Sequence, residues 1–163
     1  MLLYEYMSQT ILIEPNEDLK YIFKLNLNTY TGTDVVERKN ADDTIDLLKI
    51  LPTIDLIITK VSIGAENTSL IIHNFLKAHK MDIPMIIIGD CPELSSEVIS
   101  LNEPTSWEVL IKHAGQLLGI TEESVRHKVK PNYVPISINY FFEIDHTPVS
   151  YTHLRAHAVS YTH

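Results

Sequence analysis

The chain has 163 residues, which is enough for one domain of ordinary size and a tail. Its content of 45% hydrophobic and 21% charged residues is typical of a globular protein and argues against wholesale disorder. The net charge of −8 and the lack of any run of Lys and Arg argue against partners such as nucleic acid or an anionic membrane.

The cysteine content and the N-terminal sequence indicate the cellular compartment. Cys91 is the single cysteine, so the chain can form neither an internal disulfide nor a cysteine-based zinc site. The first ten residues have no basic segment followed by an apolar one, and the longest apolar runs are too short to cross a bilayer. We therefore expect a cytoplasmic location.

Short apolar runs alternate with longer amphipathic stretches along the first 118 residues. The pattern predicts strands over 10–13, 34–38, 55–59, 85–88 and 98–101. Helices are predicted over 17–28, 41–51 and 67–79, with a last helix from about 105 to 118. The third helix is expected to carry its buried face on five residues, namely Leu70, Ile71, Asn74, Phe75 and Ala78.

The start of the last helix has a local signal of its own. Thr105 and Glu108 have the spacing of a capping box, in which a hydroxyl and a carboxylate each accept from a free backbone N–H. Gly119 is a plausible end to this helix.

The predicted strands are apolar on both faces, which indicates a parallel sheet covered by helices on both sides. Five strand–helix units in succession predict an α/β fold, a doubly wound five-stranded parallel sheet of the flavodoxin-like type. Binding and reacting residues of such sheets lie at the carboxyl ends of the strands.

The character of the chain changes after Gly119, and we predict three segments. Residues 1–120 form the α/β domain, 121–148 form a charged linker and the aromatic-rich start of a second domain that is cut short, and 149–163 are a non-native tail. The tail prediction rests on VSYTH, which occurs at 149–153 and again at 159–163, and on VSYTHLRAH, which resembles the translation of a cloning adapter.

The order of elements and the residues at the strand ends resemble bacterial response-regulator receiver domains over roughly residues 10–118. The resemblance implies an acidic pair for magnesium after the first strand, where this chain has Glu14 and Pro15. It implies a phosphoryl-accepting aspartate after the third strand, where the segment PTIDLIITK (52–60) ends in Lys60.

Two further places of the family pattern are also changed. Receivers have Ser or Thr after the fourth strand, where this chain has Gly89, and Lys-Pro after the fifth, where it has Glu103 and Pro104. The proline fits, and we expect its cis peptide bond to be kept. The resemblance thus implies a degenerate phosphorylation pocket, with no catalytic residue, metal or cofactor.

The exchanged charges at this pocket predict an ion pair. Lys60 stands where receivers have an acid, so we expect it to pair with Glu103 or Glu14 across the strand ends and to fix one conformation. The alternative is that Lys60 and Glu103 lie on the solvated rim and never meet.

The resemblance also bears on the output surface. Only a short segment separates Gly89 from Glu103, so the fourth helix is expected to be shortened. Receivers pair through their last strand–helix units, which suggests a protein partner or a homodimer. The predicted interaction face consists of Trp107, Leu110, Ile111 and Leu118, although for Trp107 packing near the fifth strand is the simpler interpretation.

Together these features predict a pseudo-receiver, a non-enzymatic signalling domain of two-component or phosphorelay type that regulates an attached or separate output domain by contact. An alternative is the regulatory N-terminal fragment of an HD-GYP-type cyclic-dinucleotide phosphodiesterase, since residues 133–148 resemble the domain that precedes such enzymes. A third hypothesis is a small ligand held in the degenerate pocket by Lys60.

Overall fold

The computed structural model describes residues 7–94 and 96–120. Within these residues, five strands form one parallel sheet in the order β2-β1-β3-β4-β5, with these bounds: β1 Gln9–Ile13, β2 Asp34–Glu37, β3 Leu56–Lys60, β4 Met85–Ile88 and β5 Ile99–Leu101. The same part of the chain contains four α-helices, namely α1 Glu17–Thr31, α2 Ala41–Ile50, α3 Thr68–Ala78 and α4 Trp107–Leu117. The predicted doubly wound fold is confirmed, and every predicted element of residues 10–118 is present.

Two layers of core lie on opposite faces of the sheet because successive strand side chains point to opposite sides. On one face, Phe23 of α1 and Leu110 of α4 pack on strand residues such as Ile58. On the other face, Leu48 of α2 and Ile72 of α3 pack on residues that include Ile57. This burial on both faces explains why the central strands β1, β3 and β4 consist mainly of Ile and Leu.

The crossover from β4 to β5 is a single 3-10 turn, Pro92–Leu94, in place of a helix. The predicted shortening of the fourth helix is therefore confirmed. The turn covers Ile87 of β4 with Leu94, while Ser100 of β5 is exposed. Ser100 is the neighbour of Ile87 in the sheet, so the side chain of β5 that the shortened crossover leaves exposed is polar.

Helix ends follow local side-chain chemistry. Asn16 Oδ1 accepts from Leu19 N at 3.0 Å at the start of α1, and Asn40 Oδ1 accepts from Asp43 N at 2.9 Å at the start of α2. α1 runs three residues past its predicted end, to Thr31, because Gly32 then adopts a φ of 73° and donates its N–H to Asn28 O.

Two predicted helix details are wrong. The N-cap of α4 is Ser106, whose Oγ accepts from Val109 N at 3.2 Å, so Glu108 lies one position too early to complete the capping box. In α3 the buried face is formed by Thr68, Ser69, Ile72 and Leu76, whereas Ile71, Asn74 and Ala78 are exposed. Apolar residues surround much of this helix, so its sequence allows two faces, and packing against the sheet decides between them.

Among the described helices, none combines the length and the apolar character that a bilayer crossing requires. The predictions for residues 121–148 and 149–163, including the second domain, the HD-GYP resemblance and the non-native tail, lie outside the described residues.

Candidate functional site

The carboxyl ends of four strands bring together the residues that the sequence singled out. Glu14 follows β1, Lys60 ends β3, Gly89 follows β4 and Glu103 follows β5. Because the strands are parallel, these ends lie along one edge of the sheet. These four residues are therefore neighbours in space although Glu14 and Glu103 are 89 positions apart in sequence.

Lys60 forms an ion pair with Glu103, between Nζ and Oε2. Of the two partners considered for Lys60, Glu103 is thus the one in contact. The Lys60 side chain is 23% exposed and that of Glu103 is 47% exposed, so water reaches the pair. The hydrogen bond to Glu103 raises the pKa of Lys60, which keeps the ammonium charged.

Lys60 and Glu103 come from the ends of β3 and β5, which lie two strand spacings, about 10 Å, apart in the sheet. Their side chains meet across the end of β4, the strand between them. Gly89 occupies that end with a φ of 122°, a conformation that L side chains rarely adopt. A Cβ placed on Gly89 would lie 2.7 Å from Val61 Cγ2 and 3.8 Å from Glu103 Oε1. The absence of a side chain here leaves the space that Val61 and the ion pair occupy.

Glu14 is the buried member of the group, with 3% of its surface exposed. Its Oε2 accepts from the N–H of Asn16 at 2.9 Å, which ties the end of β1 to the N-cap of α1. Burial raises the pKa of Glu14, although the hydrogen bond from Asn16 and the charge of Lys60 act in the opposite direction.

The two prolines of the pocket are exposed and offer no ligand atom. Pro15 separates Glu14 from Asn16, and Pro104 follows Glu103 through a cis peptide bond, as expected from the resemblance. No group of three or more metal-binding side chains occurs within residues 7–94 and 96–120.

Two aspartates near the pocket in sequence differ in position. Asp55 precedes β3 and its Oδ2 accepts from Gln9 N at 2.8 Å, so it lies at the amino ends of β1 and β3, opposite the pocket. Asp90 follows Gly89 and is exposed, so it lies on the pocket side. Asp90 is the nearest carboxylate to the end of β4 in sequence, but it belongs to another strand than the one that carries the acceptor in receivers.

The interaction face predicted on α4 requires correction. Leu110 and Ile111 are fully buried in the core beneath α1, so they present no side chain to a partner. Trp107 packs against the core, as its simpler interpretation held, and its ring stacks on that of Tyr30 at a centroid distance of 5.8 Å. Leu118 is partly buried against the same core. The apolar residues of α4 cover a wide part of its surface because α4 packs on both the sheet and α1.

Sequence reasoning missed two features that the structure brings out. Val61 lies against Gly89, a contact that no spacing in the sequence indicates. On α1, Tyr21 and Leu25 are 68% and 50% exposed and line a shallow cavity of about 380 Å³ with Lys24 and Glu37. Tyr21 and Leu25 are four residues apart and so share one face of the helix, which differs from the buried face that carries Phe23 and Leu27. This spacing is the sequence signal that could have identified them.

Solved structures that are similar in fold include receiver domains. The signal receiver domain of a putative LuxO repressor protein from Vibrio parahaemolyticus is 14% identical, with a TM-score of 0.60 over 70% of this chain and 92% of that one. The receiver domain of the Francisella response regulator 1452 is 17% identical, with a TM-score of 0.59 over 69% and 97%. A response regulator receiver protein from Sinorhizobium medicae WSM419 is 21% identical, with a TM-score of 0.58 over 69% and 95%.

No protein-family model and no curated protein matches the chain. The chain has the fold of response-regulator receiver domains, as predicted, and at these identities the likeness establishes the fold alone.

Proposed function

We propose, from the receiver fold of this chain, that it is a signalling domain that accepts no phosphoryl group and acts by contact with another protein or a second copy of itself. The observation that carries the proposal is the Lys60–Glu103 ion pair at the carboxyl edge of the sheet. An ammonium ends the strand on which receivers carry their acceptor carboxylate, and that ammonium already has an acidic partner.

Phosphoryl transfer to such a domain needs a carboxylate nucleophile, a divalent cation and a positive charge that neutralises the phosphoryl oxygens. An amine at position 60 cannot form an acyl phosphate. Magnesium requires near-octahedral oxygen ligands, while Glu14 is buried beside the charge of Lys60, and Pro15 supplies no oxygen. The cation that balances the carboxylates is therefore Lys60 itself, which the chain supplies.

The same pair disfavours the hypothesis of a small anionic ligand read by Lys60. An anion would have to displace Glu103 from the ammonium and would meet Glu14 nearby. The domain would accordingly regulate an attached or separate output domain in the cytoplasm through its surface, and exposed Tyr21 and Leu25 on α1 are better placed for contact than Leu110 and Ile111.

The experiment that tests the proposal is mass spectrometry of the intact protein after incubation with acetyl phosphate and Mg²⁺. We expect no mass increase of a phosphoryl group, and no Mg²⁺-dependent change in the fluorescence of Trp107 when beryllofluoride is added. A receiver that has its acceptor aspartate is the positive control.

A stoichiometric adduct would overturn the proposal, and Asp90 would then be the first residue to replace because Asp55 lies at the opposite end of the sheet. A Lys60→Asp variant is the matched variant of this chain. An adduct on that variant but not on the wild type would locate the loss of chemistry at position 60.

A further inference from the structure

We propose that Val61 is the positioning residue of the strand-end pocket: its packing against Gly89 holds Lys60 toward Glu103, and the ion pair is the consequence of this packing and not its cause. The inference deepens the proposed function and rests on it, because it names what keeps the non-phosphorylatable domain in one state.

The backbone around Lys60 and Val61 is held on three sides. Val61 N donates to Ile88 O at 3.2 Å, which extends the pairing of β3 with β4 by one residue. Val61 O accepts both the N–H and the hydroxyl of Ser69, each at 3.0 Å. Thr59 Oγ1 donates to Lys60 O at 2.9 Å. None of these bonds involves a charged side chain, so they persist whether or not Lys60 is paired.

The Val61 side chain occupies the space that the side chain of any other residue at position 89 would need. The Cβ position of Gly89 would lie 2.7 Å from Val61 Cγ2 and 3.8 Å from Glu103 Oε1, so the methyl group and the carboxylate border the same small space. Gly89 N also donates to Leu101 O at 2.8 Å, which fixes β5 relative to β4 just before Glu103. Val61 is thus packed against Gly89, the residue that lies between the strand ends carrying Lys60 and Glu103.

Val61 is anchored in turn by a cluster under the shortened crossover. It packs with buried Ile87, Cys91 and Leu94. Ser69, which donates two hydrogen bonds to the Val61 carbonyl, is fully buried. Its Oγ lies 3.8 Å from Cys91 Sγ. The short 3-10 turn therefore contributes to the pocket indirectly, by closing over the cluster that contains Val61.

The loop after Val61 is held at its far end as well. Ile63 and Glu66 exchange backbone hydrogen bonds of 3.1 and 3.0 Å. The Glu66 carboxylate accepts from the N–H of Ala41 at the start of α2 and from the hydroxyl of Thr68 at the start of α3. A movement of the β3–α3 loop would break these bonds together, so the loop has one favoured position.

The test compares Val61→Ala with Val61→Ile, which keeps both γ-carbons, including the one at the position that faces Gly89. The readout is the hydrogen-exchange rate of the Lys60 ammonium in ¹⁵N-lysine-labelled full-length protein, measured by NMR, with backbone spectra used to verify folding. We expect up to about fivefold faster exchange in Val61→Ala, because loss of the methyl frees Lys60 to leave Glu103, and a rate close to that of the wild type in Val61→Ile. Equal rates in wild type and Val61→Ala would overturn the inference.

The reverse experiment fixes the direction of cause. In Glu103→Gln we expect unchanged exchange of the Val61 and Ser69 backbone amides, because their bonds do not depend on the pair. Faster exchange of these amides in Glu103→Gln would mean that the pair holds the loop and would also overturn the inference. Ser69→Ala is the second variant, in which one of the two bonds to Val61 O is lost and the Lys60 ammonium should exchange faster than in the wild type. None of these outcomes depends on whether acetyl phosphate forms an adduct, so failure here is distinguishable from failure of the proposed function.

Discussion

Lys60 at the end of β3 and Glu103 after β5 form an ion pair that bridges the end of β4, where Gly89 has no side chain. In the receiver pattern that the sequence resembles, the acid stands on β3 and the lysine after β5. The pair in this chain keeps the contact between the same two strand ends with the charges exchanged.

The Lys60–Glu103 pair should contribute little to stability. Both side chains are partly exposed, so we expect a coupling free energy of at most about 1 kcal/mol from a double-mutant cycle of Lys60→Met and Glu103→Gln. The measurement is urea unfolding of the four proteins at low and high salt, with the coupling smaller at high salt. A coupling of several kcal/mol would contradict this expectation and would mean that the pair is shielded from water.

Glu14 should make stability fall as pH rises above its ordinary pKa of 4.5, because burial raises the pKa of this carboxyl in the folded protein. The folded state then binds the proton more tightly than the unfolded state, so the contribution of Glu14 is fully present below the unfolded pKa and is lost as pH rises through the folded one.

Urea unfolding of the wild type and Glu14→Gln at a series of pH values tests the Glu14 prediction. The variant should lack this pH-dependent loss, and its amide oxygen can still accept from Asn16. Equal slopes against pH in both proteins would show that Glu14 titrates normally. Asp18→Asn, at an exposed acid of the first turn of α1, is the control.

Leu110 and Ile111 should behave as core residues. We expect Leu110→Ala to lower the free energy of unfolding by about 2–5 kcal/mol, because truncation of a fully buried side chain leaves a cavity. Leu25→Ala, at a half-exposed site on α1, should change it by about 0.5 kcal/mol or less. A small loss for Leu110→Ala in chemical denaturation would restore the prediction that this residue belongs to an interaction face.

The start of α4 should depend on Ser106 and not on Thr105. Replacement of Ser106 by Ala removes the hydroxyl that accepts from Val109 N, at a cost of about 1 kcal/mol in unfolding free energy. Thr105→Ala should stay within about 0.5 kcal/mol of the wild type, since Thr105 precedes the cap. Thermal unfolding of both variants distinguishes the observed cap from the one the sequence pattern suggested.

Local pattern alone determined most of the fold. The run of Met85–Ile88 and its counterparts on β1 and β3 are short, apolar on both faces and separated by helical periodicity, so burial in a parallel sheet is the arrangement that satisfies them. The positions of Glu14, Lys60 and Glu103 at strand ends follow from the same elements, because a parallel sheet places all carboxyl ends on one edge.

Only the tertiary structure decided which side chains meet there. Whether Lys60 takes Glu103 or Glu14, and whether Val61 lies against Gly89, depends on distances between strands that are far apart in sequence, and no local periodicity encodes those distances. The burial of Leu110 and Ile111 likewise depends on α1, because an amphipathic helix carries apolar residues over more of its surface than one neighbour covers. Sequence thus determined the elements and the edge at which chemistry would lie, whereas packing determined the contacts, since contacts are set by the sum of many weak interactions across the whole core.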